Sequence, residues 1–186
     1  MRGWTAAVVL GLFAGTALAE EPPQPAEQGM AVEQRLRDYF FDASRRGDQA
    51  MLQTFIEAGF DLNVHDAKGY TGLILAAYHG QGQAVQQLLE AGADPCVQDF
   101  RGNTALMGAI FKGEVRIARR LIDAPCSPDQ HNASGQTAAM YAALFQRTEV
   151  LQALEARGAD LDARDAMGNT VGSLQRGEVK GTPAAP

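Results

Sequence analysis

A repeat of 33 residues constrains the fold of this 186-residue chain more than any other feature. Three columns recur at that spacing: a turn residue that is acidic or an amide, a glycine and a threonine. The columns contain Asp66, Asp99, Asn132 and Asp165; Gly69, Gly102, Gly135 and Gly168; and Thr71, Thr104, Thr137 and Thr170. A period of about 20 to 50 residues indicates a stack of small units, because one such unit cannot bury its apolar face alone. Such a stack presents a long open surface, which favours binding over catalysis.

The unit from 66 to 98 shows how each repeat is built. The Asp66 carboxylate can bond its own backbone two residues on, and Gly69 supplies the positive φ of a turn. Thr71 is a good N-cap for a first helix, which Gly80 ends. A second helix, with apolar residues on one face, ends at Gly92. We predict first helices that begin near Thr71, Thr104 and Thr137, and second helices that begin near Gln81, Glu114 and Arg147.

A small residue recurs inside each predicted first helix. The column contains Ala43, Ala76, Ala109 and Ala142. Two helices can approach closely only where side chains are small, so we expect this column to be buried between helices. Met107 and Met140 lie two residues before Ala109 and Ala142. Core packing is the favoured interpretation of both methionines, and a haem or copper ligand is the alternative.

These motifs resemble the ankyrin repeat family. Its T-P-L-H-x-A motif reads TGLILA from Thr71, TALMGA from Thr104 and TAAMYA from Thr137, with Pro and His absent each time. The resemblance implies an all-α solenoid with units at about 32–65, 66–98, 99–131 and 132–164 and a partial unit at 165–176. The first unit lacks the Asp/Gly turn and the last breaks up after Leu174, so both are expected to cap the stack.

The two ends of the chain differ in composition from the repeats. Residues 1–19 hold one Arg and an apolar run that finishes Ala17-Leu18-Ala19, which predicts a signal peptide cleaved after Ala19. An uncleaved membrane anchor is the alternative. We therefore expect export to the periplasm and no membrane insertion of the mature chain. Residues 20–30 read as a flexible leader and 177–186 as a disordered tail, which leaves 31–176 as the repeat domain.

Charge and missing motifs restrict the function. Cleavage removes Arg2 alone, so the formal charge changes from −6 to −7, which argues against nucleic acid or an anionic membrane as the partner. G-x-S-x-G, H-E-x-x-H, P-loop and C-x-x-C motifs do not occur. His65 and His131 are two units apart, roughly 20 Å, too far to share a metal. We predict a monomer without catalytic residues, cofactor or metal that binds another protein.

A narrower resemblance concerns the stretches GNTALMGAIFKGEV and GQTAAMYAALFQR in an exported chain. They are similar to small periplasmic ankyrin proteins of Gram-negative bacteria, which are often encoded beside a catalase. The resemblance implies a role in peroxide defence or in support of catalase activity. An immunity protein that neutralises a secreted toxin and a haem-handling accessory factor are the alternatives.

Cys96 and Cys126 are the two cysteines of the chain. Each follows the second helix of its unit, and the units are adjacent. Equivalent atoms of neighbouring units would be about 10 Å apart, too far for a bridge, but the two positions are offset by three residues, which could close the gap. An exported chain favours a disulfide. Two small buried thiols are the alternative.

Columns that vary between units predict the partner-binding face. Core columns should repeat one residue type, and in ankyrin proteins the matching variable positions line the concave face. Just after the small residues of the first helices they are Arg45, Arg46, Tyr78, His79, Phe111, Lys112, Leu144 and Phe145; at the turns they are Lys68, Tyr70, Phe100, Arg101, Asn103, Ser134 and Gln136. We expect Tyr78, Phe111 and Leu144 to form an apolar stripe at roughly 10 Å per unit. Alternatively, these side chains lie down on the neighbouring unit and belong to the core.

Overall fold

A computed structural model describes residues 25–181, which form helices joined by turns and loops, without a β-strand in that range. A first and a second helix alternate, and the pattern repeats along the chain. The pairs are α1 (Pro25–Arg46) with α2 (Gln49–Glu57), α3 (Gly72–Tyr78) with α4 (Gly82–Glu90), α5 (Ala105–Lys112) with α6 (Val115–Ile122), α7 (Ala138–Leu144) with α8 (Thr148–Ala156), and α9 (Val171–Gln175) alone. The predicted all-α solenoid is therefore confirmed.

The threonine column begins the first helices, as predicted. The Thr71 side chain accepts a hydrogen bond from the Ile74 backbone N–H at 3.2 Å, and Thr104 accepts one from Met107 at 3.3 Å. Each bond satisfies a helix N–H that has no partner within its own helix. The second helices also begin where predicted, with Gln81, Glu114 and Arg147 as N-caps.

The turns before the first helices are held by their acidic or amide residue. One oxygen of Asp66 accepts hydrogen bonds from the backbone N–H groups of Lys68 at 2.8 Å and Tyr70 at 2.9 Å. Successive turns also touch, because the Ala133 N–H donates to the Arg101 carbonyl at 2.9 Å. A Cβ on Gly102 would lie 2.7 Å from the Ala133 nitrogen, so only glycine allows this approach.

The alanine column lies in the core, as predicted. Ala43, Ala76 and Ala109 have no exposed surface, and Ala142 is 1% exposed. First helices of neighbouring units pack against one another at these positions, with the second helices behind them. Met107 and Met140 are also buried among these helices, which favours core packing over a ligand role for both.

Both ends of the domain extend beyond the predicted boundaries. Helix α1 begins at Pro25, inside the segment predicted to be a flexible leader. Proline is favoured in the first turn of a helix, and the residues after it are mostly good helix formers. At the other end, the buried side chain of Asn169 accepts a 2.7 Å hydrogen bond from the Lys180 N–H. This bond ties part of the predicted disordered tail to the last unit.

The predicted signal peptide, the rest of the predicted leader (20–24) and the end of the tail (182–186) lie outside the described residues. Within residues 25–181, no helix combines the length and the apolar character needed to cross a membrane.

Cys96 and Cys126 form a disulfide, with their Cα atoms 5.6 Å apart. The bridge joins the loop after α4 to the loop after α6, and so links two neighbouring units covalently. The side-chain amide of Gln130 also joins these loops, because it donates to the Cys96 carbonyl at 2.8 Å. Of the two states that the sequence allowed, the structure contains the bridged one.

Candidate protein-binding groove

An open groove with a volume of about 1080 Å³ runs along α1, α3 and α5 and past the turns that precede α3 and α5. Residues of three successive units line it, and Tyr141 from α7 closes one end. Helices and turns therefore form the two sides of one continuous surface.

An aromatic row follows the helix side of the groove; it consists of Tyr78, Phe111, Phe145 and Tyr141. The rings of Tyr78 and Phe111 are stacked, with centroids 6.1 Å apart and an interplanar angle of 11°. Phe145 meets Phe111 edge-on at 5.1 Å and lies 5.9 Å from Tyr141. Tyr78 is 37% exposed and Phe111 is 45% exposed, so neither belongs to the core.

The spacing predicted for the apolar stripe is wrong for the rings. Successive units are roughly 10 Å apart, yet the rings of Tyr78 and Phe111 are 6.1 Å apart because they lean along the groove and stack. Leu144 occupies the predicted column and is 36% exposed. The side chain that contacts Phe111 from this unit is nevertheless that of Phe145, the residue after Leu144.

Some charged side chains in the groove have ion-pair or hydrogen-bond partners, whereas others form no ion pair. The Asp66 carboxylate pairs with Arg45 at 3.2 Å, and Asp99 accepts hydrogen bonds from the Asn103 side chain and from turn N–H groups. Lys68 and Arg101 occupy the same position in successive turns, and neither forms an ion pair with any residue in 25–181. The groove therefore offers two free cations beside the aromatic row.

The family of this chain follows from its sequence as well as from this geometry. A family model described as "Ankyrin repeats (3 copies)" matches residues 40–130 and again residues 73–165, together more than half of the chain. The chain belongs to the ankyrin-repeat family. No curated protein matches it. Membership of this family indicates a protein-binding module.

The ankyrin stack brings about half of the predicted contact residues into the groove. Those that line it are Arg45, Lys68, Tyr70, Tyr78, His79, Arg101, Asn103 and Phe111. Those that do not are Arg46, Phe100, Lys112, Ser134, Gln136, Leu144 and Phe145. Lys112 and Phe145 do not line the groove but lie at its margin. The Lys112 ammonium is 5.1 Å from the Tyr78 ring centroid, and the Phe145 ring contacts that of Phe111.

Some predicted contact residues have partners within the ankyrin stack. Arg46 pairs with Asp42 at 2.8 Å on α1. Phe100 is 72% exposed, but its ring stacks on His65 and covers Gly69, where a Cβ would lie 2.5 Å from the ring. Phe100 therefore closes a gap between two turns, and its variability does not by itself indicate a contact with a partner.

A polar network at the Tyr141 end holds two further predicted residues. The Tyr141 hydroxyl donates to the Asn103 side-chain oxygen at 3.0 Å, and the Asn132 amide donates to the same oxygen at 2.9 Å. Asn132 also donates to the Gln136 side chain at 3.2 Å. Burial of the Tyr141 phenol raises its pKa above the ordinary value of 10.0. Asn103 thus bonds Tyr141 directly, whereas Gln136 reaches it only through Asn132.

Sequence reasoning found Arg45 but missed the rest of the α1 face, Gly108 and Tyr141 as parts of the groove. Arg37, Phe41 and Arg45 are four residues apart and face the groove from α1. Residues four apart share one face of a helix, so Arg45 could have predicted Phe41 and Arg37 as groove residues as well. Tyr141 occupies the variable position x of the T-P-L-H-x-A motif. No contact residue was predicted at this position.

Among the described residues, one group of possible metal ligands is compact enough to hold an ion: Asp94, Cys96 and Cys126. The two cysteines are bonded to each other, so neither offers a thiolate. The group therefore gives no support to a metal site.

Proposed function

We propose that this ankyrin stack is a non-catalytic module that holds a partner protein in the groove, chiefly through the aromatic row. The observation that supports this proposal is the exposure of Tyr78 and Phe111, which stack on each other and still present 37% and 45% of their surface. Large aromatic side chains that stay exposed in a groove are the usual anchors of protein interfaces.

Replacing both anchors with alanine tests the proposal. Immobilised Tyr78→Ala/Phe111→Ala protein is expected to lose the proteins that the parent captures from an envelope extract of its own cells. The fold should persist, because both rings are largely outside the core. A matched control is Met51→Ala/Met167→Ala, which truncates two side chains that are each 39% exposed and do not line the groove.

Two measurements decide the outcome: the captured proteins, and the thermal melt followed by circular dichroism. Capture that survives in the Tyr78→Ala/Phe111→Ala protein would contradict the proposal. An unfolded double variant would also contradict it, because the row would then be core. Loss of capture in the methionine control as well would point to nonspecific adhesion.

We also propose the periplasm as the compartment in which the module works. The disulfide supports this location, since such bonds persist in oxidising compartments and are rare in the cytosol. Cell fractionation with an antibody against the chain tests it. Recovery of the chain in the cytosolic fraction, with both thiols free to react with a maleimide, would contradict it.

A role in peroxide defence is the biological setting that we propose for this binding. Its support is the likeness of the sequence to small periplasmic ankyrin proteins. A strain that lacks the chain should survive hydrogen peroxide less well, and the parent protein should restore survival. The Tyr78→Ala/Phe111→Ala protein should fail to do so. Equal survival of the deleted and parent strains would remove this setting and leave the binding proposal intact.

A further inference from the structure

One column of the first helices contains Leu75 in α3, Gly108 in α5 and Tyr141 in α7, and all three residues line the groove. Leu75 and Tyr141 therefore contribute side chains on either side of a position that has none. The result is a gap, which we name the Gly108 notch. Tyr78 borders it directly, and Phe111 and Tyr141 line the same groove.

Internal packing does not require a glycine at this position. A Cβ on Gly108 would meet only the Tyr78 side chain, at 3.8 and 3.9 Å, which is ordinary van der Waals contact. Gly72 in α3 is different, because a Cβ there would lie 2.6 Å from the Phe40 ring. A glycine inside a helix costs roughly 0.5–1 kcal/mol relative to alanine. Gly108 therefore lowers stability and leaves an open space that folding does not use.

Three exposed cations without an ion pair lie in or beside the groove. Among the groove carboxylates, Asp42 and Asp66 form ion pairs with Arg46 and Arg45, Asp99 is 8% exposed and accepts hydrogen bonds within its own turn, and Asp38 accepts one from the neutral amide of Gln34. Lys68, Arg101 and Lys112 form no ion pair among residues 25–181, and Lys112 only approaches the Tyr78 ring. The exposed charges in or beside the groove that have no ion pair within residues 25–181 are therefore three cations and one carboxylate, Asp38.

We propose that the Gly108 notch receives one aromatic side chain from an acidic segment of the partner protein. The aromatic side chains that line the groove here favour a ring, because an aromatic ligand can make offset-stacked or edge-to-face contacts with them. Carboxylates on either side of that ring pair with Lys68, Arg101 and Lys112, where opposite charge gives specificity and a faster encounter. The inference rests on the proposed function, since it names the chemistry of the partner in the same groove.

Short labelled peptides test this chemistry directly on the full chain by fluorescence anisotropy. One peptide carries a central Phe between runs of Asp and Glu. A second replaces the Phe with Ala, and a third replaces the acids with Lys. We expect the first to bind at least about tenfold more tightly than either of the others. Equal binding of the three, or no binding of the first, would overturn the proposal.

Filling the notch is the matching test on the protein. Gly108→Leu introduces the residue that α3 carries in the same column, and it should weaken binding of the acidic Phe peptide by about tenfold or more. The control is Gly82→Ala, at a helical glycine outside the groove where a Cβ would lie 3.8 Å from Ile117. It should bind the peptide as the parent does. If Gly108→Leu unfolds, Gly108→Ala takes its place, with a smaller loss expected.

The two proposals fail in different ways. If Tyr78→Ala/Phe111→Ala loses its captured protein while Gly108→Leu keeps it, the module binds through the aromatic row and the notch is not its anchor site. If both variants keep the captured protein, the proposed function fails and the notch inference fails with it. The Lys68→Glu/Arg101→Glu variant tests the contribution of charge to peptide binding. This variant should prefer the lysine-flanked peptide over the acidic one.

Discussion

Removal of the Cys96–Cys126 disulfide should destabilise the stack chiefly through the unfolded state. The bridge joins residues 30 apart in sequence, and closing a loop of that length removes conformational entropy from the unfolded chain. Loop-closure entropy gives a loss of about 3–4 kcal/mol in the free energy of unfolding for Cys96→Ala/Cys126→Ala. The Gln130 hydrogen bond to the Cys96 carbonyl survives the substitution, so the native loops should stay together.

Urea unfolding followed by circular dichroism measures this effect. With a slope of about 2 kcal/mol per molar urea, the midpoint should fall by roughly 1.5–2 M. The parent under reducing conditions should match the double variant, which separates loss of the covalent bond from loss of the sulfur atoms. Ser127→Ala, at an exposed neighbour in the same loop, should leave the midpoint unchanged. Midpoints of the oxidised parent and the double variant that agree within about 0.3 M would refute the reasoning.

Two further predictions concern the core and the groove. Ala109→Leu should overpack the contact between first helices and cost about 1–3 kcal/mol in urea unfolding; a midpoint equal to that of the parent would mean that the helix register is wrong. The pKa of the Tyr141 hydroxyl is higher in the folded protein than its ordinary value of 10.0. As pH rises above 10.0, this hydroxyl loses its proton more readily in the unfolded chain, so the free energy of unfolding falls. Tyr141→Phe should lose less stability than the parent between about pH 9 and pH 11, and equal losses in urea midpoint would contradict this assignment.

The repeated columns made most of the fold predictable. Thr71 and its equivalents are small hydroxyl residues at a fixed distance from a turn glycine, so local hydrogen bonding alone determines where the first helices begin. The alanine column was predictable for a similar reason. A residue that stays small in every unit, beside larger apolar ones, marks the place where helices touch, and Ala76 and Ala109 are fully buried.

The groove was less predictable because its properties depend on differences between units. The stacking of Tyr78 on Phe111 depends on side-chain rotamers, and the distance between neighbouring repeat units does not determine these rotamers. Phe100 remains a predicted contact residue, but its ring also covers Gly69, a packing role that comparison of the repeat columns does not reveal. The start of α1 at Pro25 was not predictable from composition, because a Pro-rich stretch is typical of a flexible leader even when helix formers follow it.

The covalent link between two units also affects how the stack opens. In a solenoid each unit contacts only its neighbours, so partial unfolding can begin at either end and spread inward. Cys96 belongs to the unit that carries Tyr78, and Cys126 to the unit that carries Gly108 and Phe111. The cross-link makes these two units behave as one cooperative segment. Amide hydrogen exchange should accordingly be slowest there, so the centre of the groove keeps its shape while the terminal helices fray.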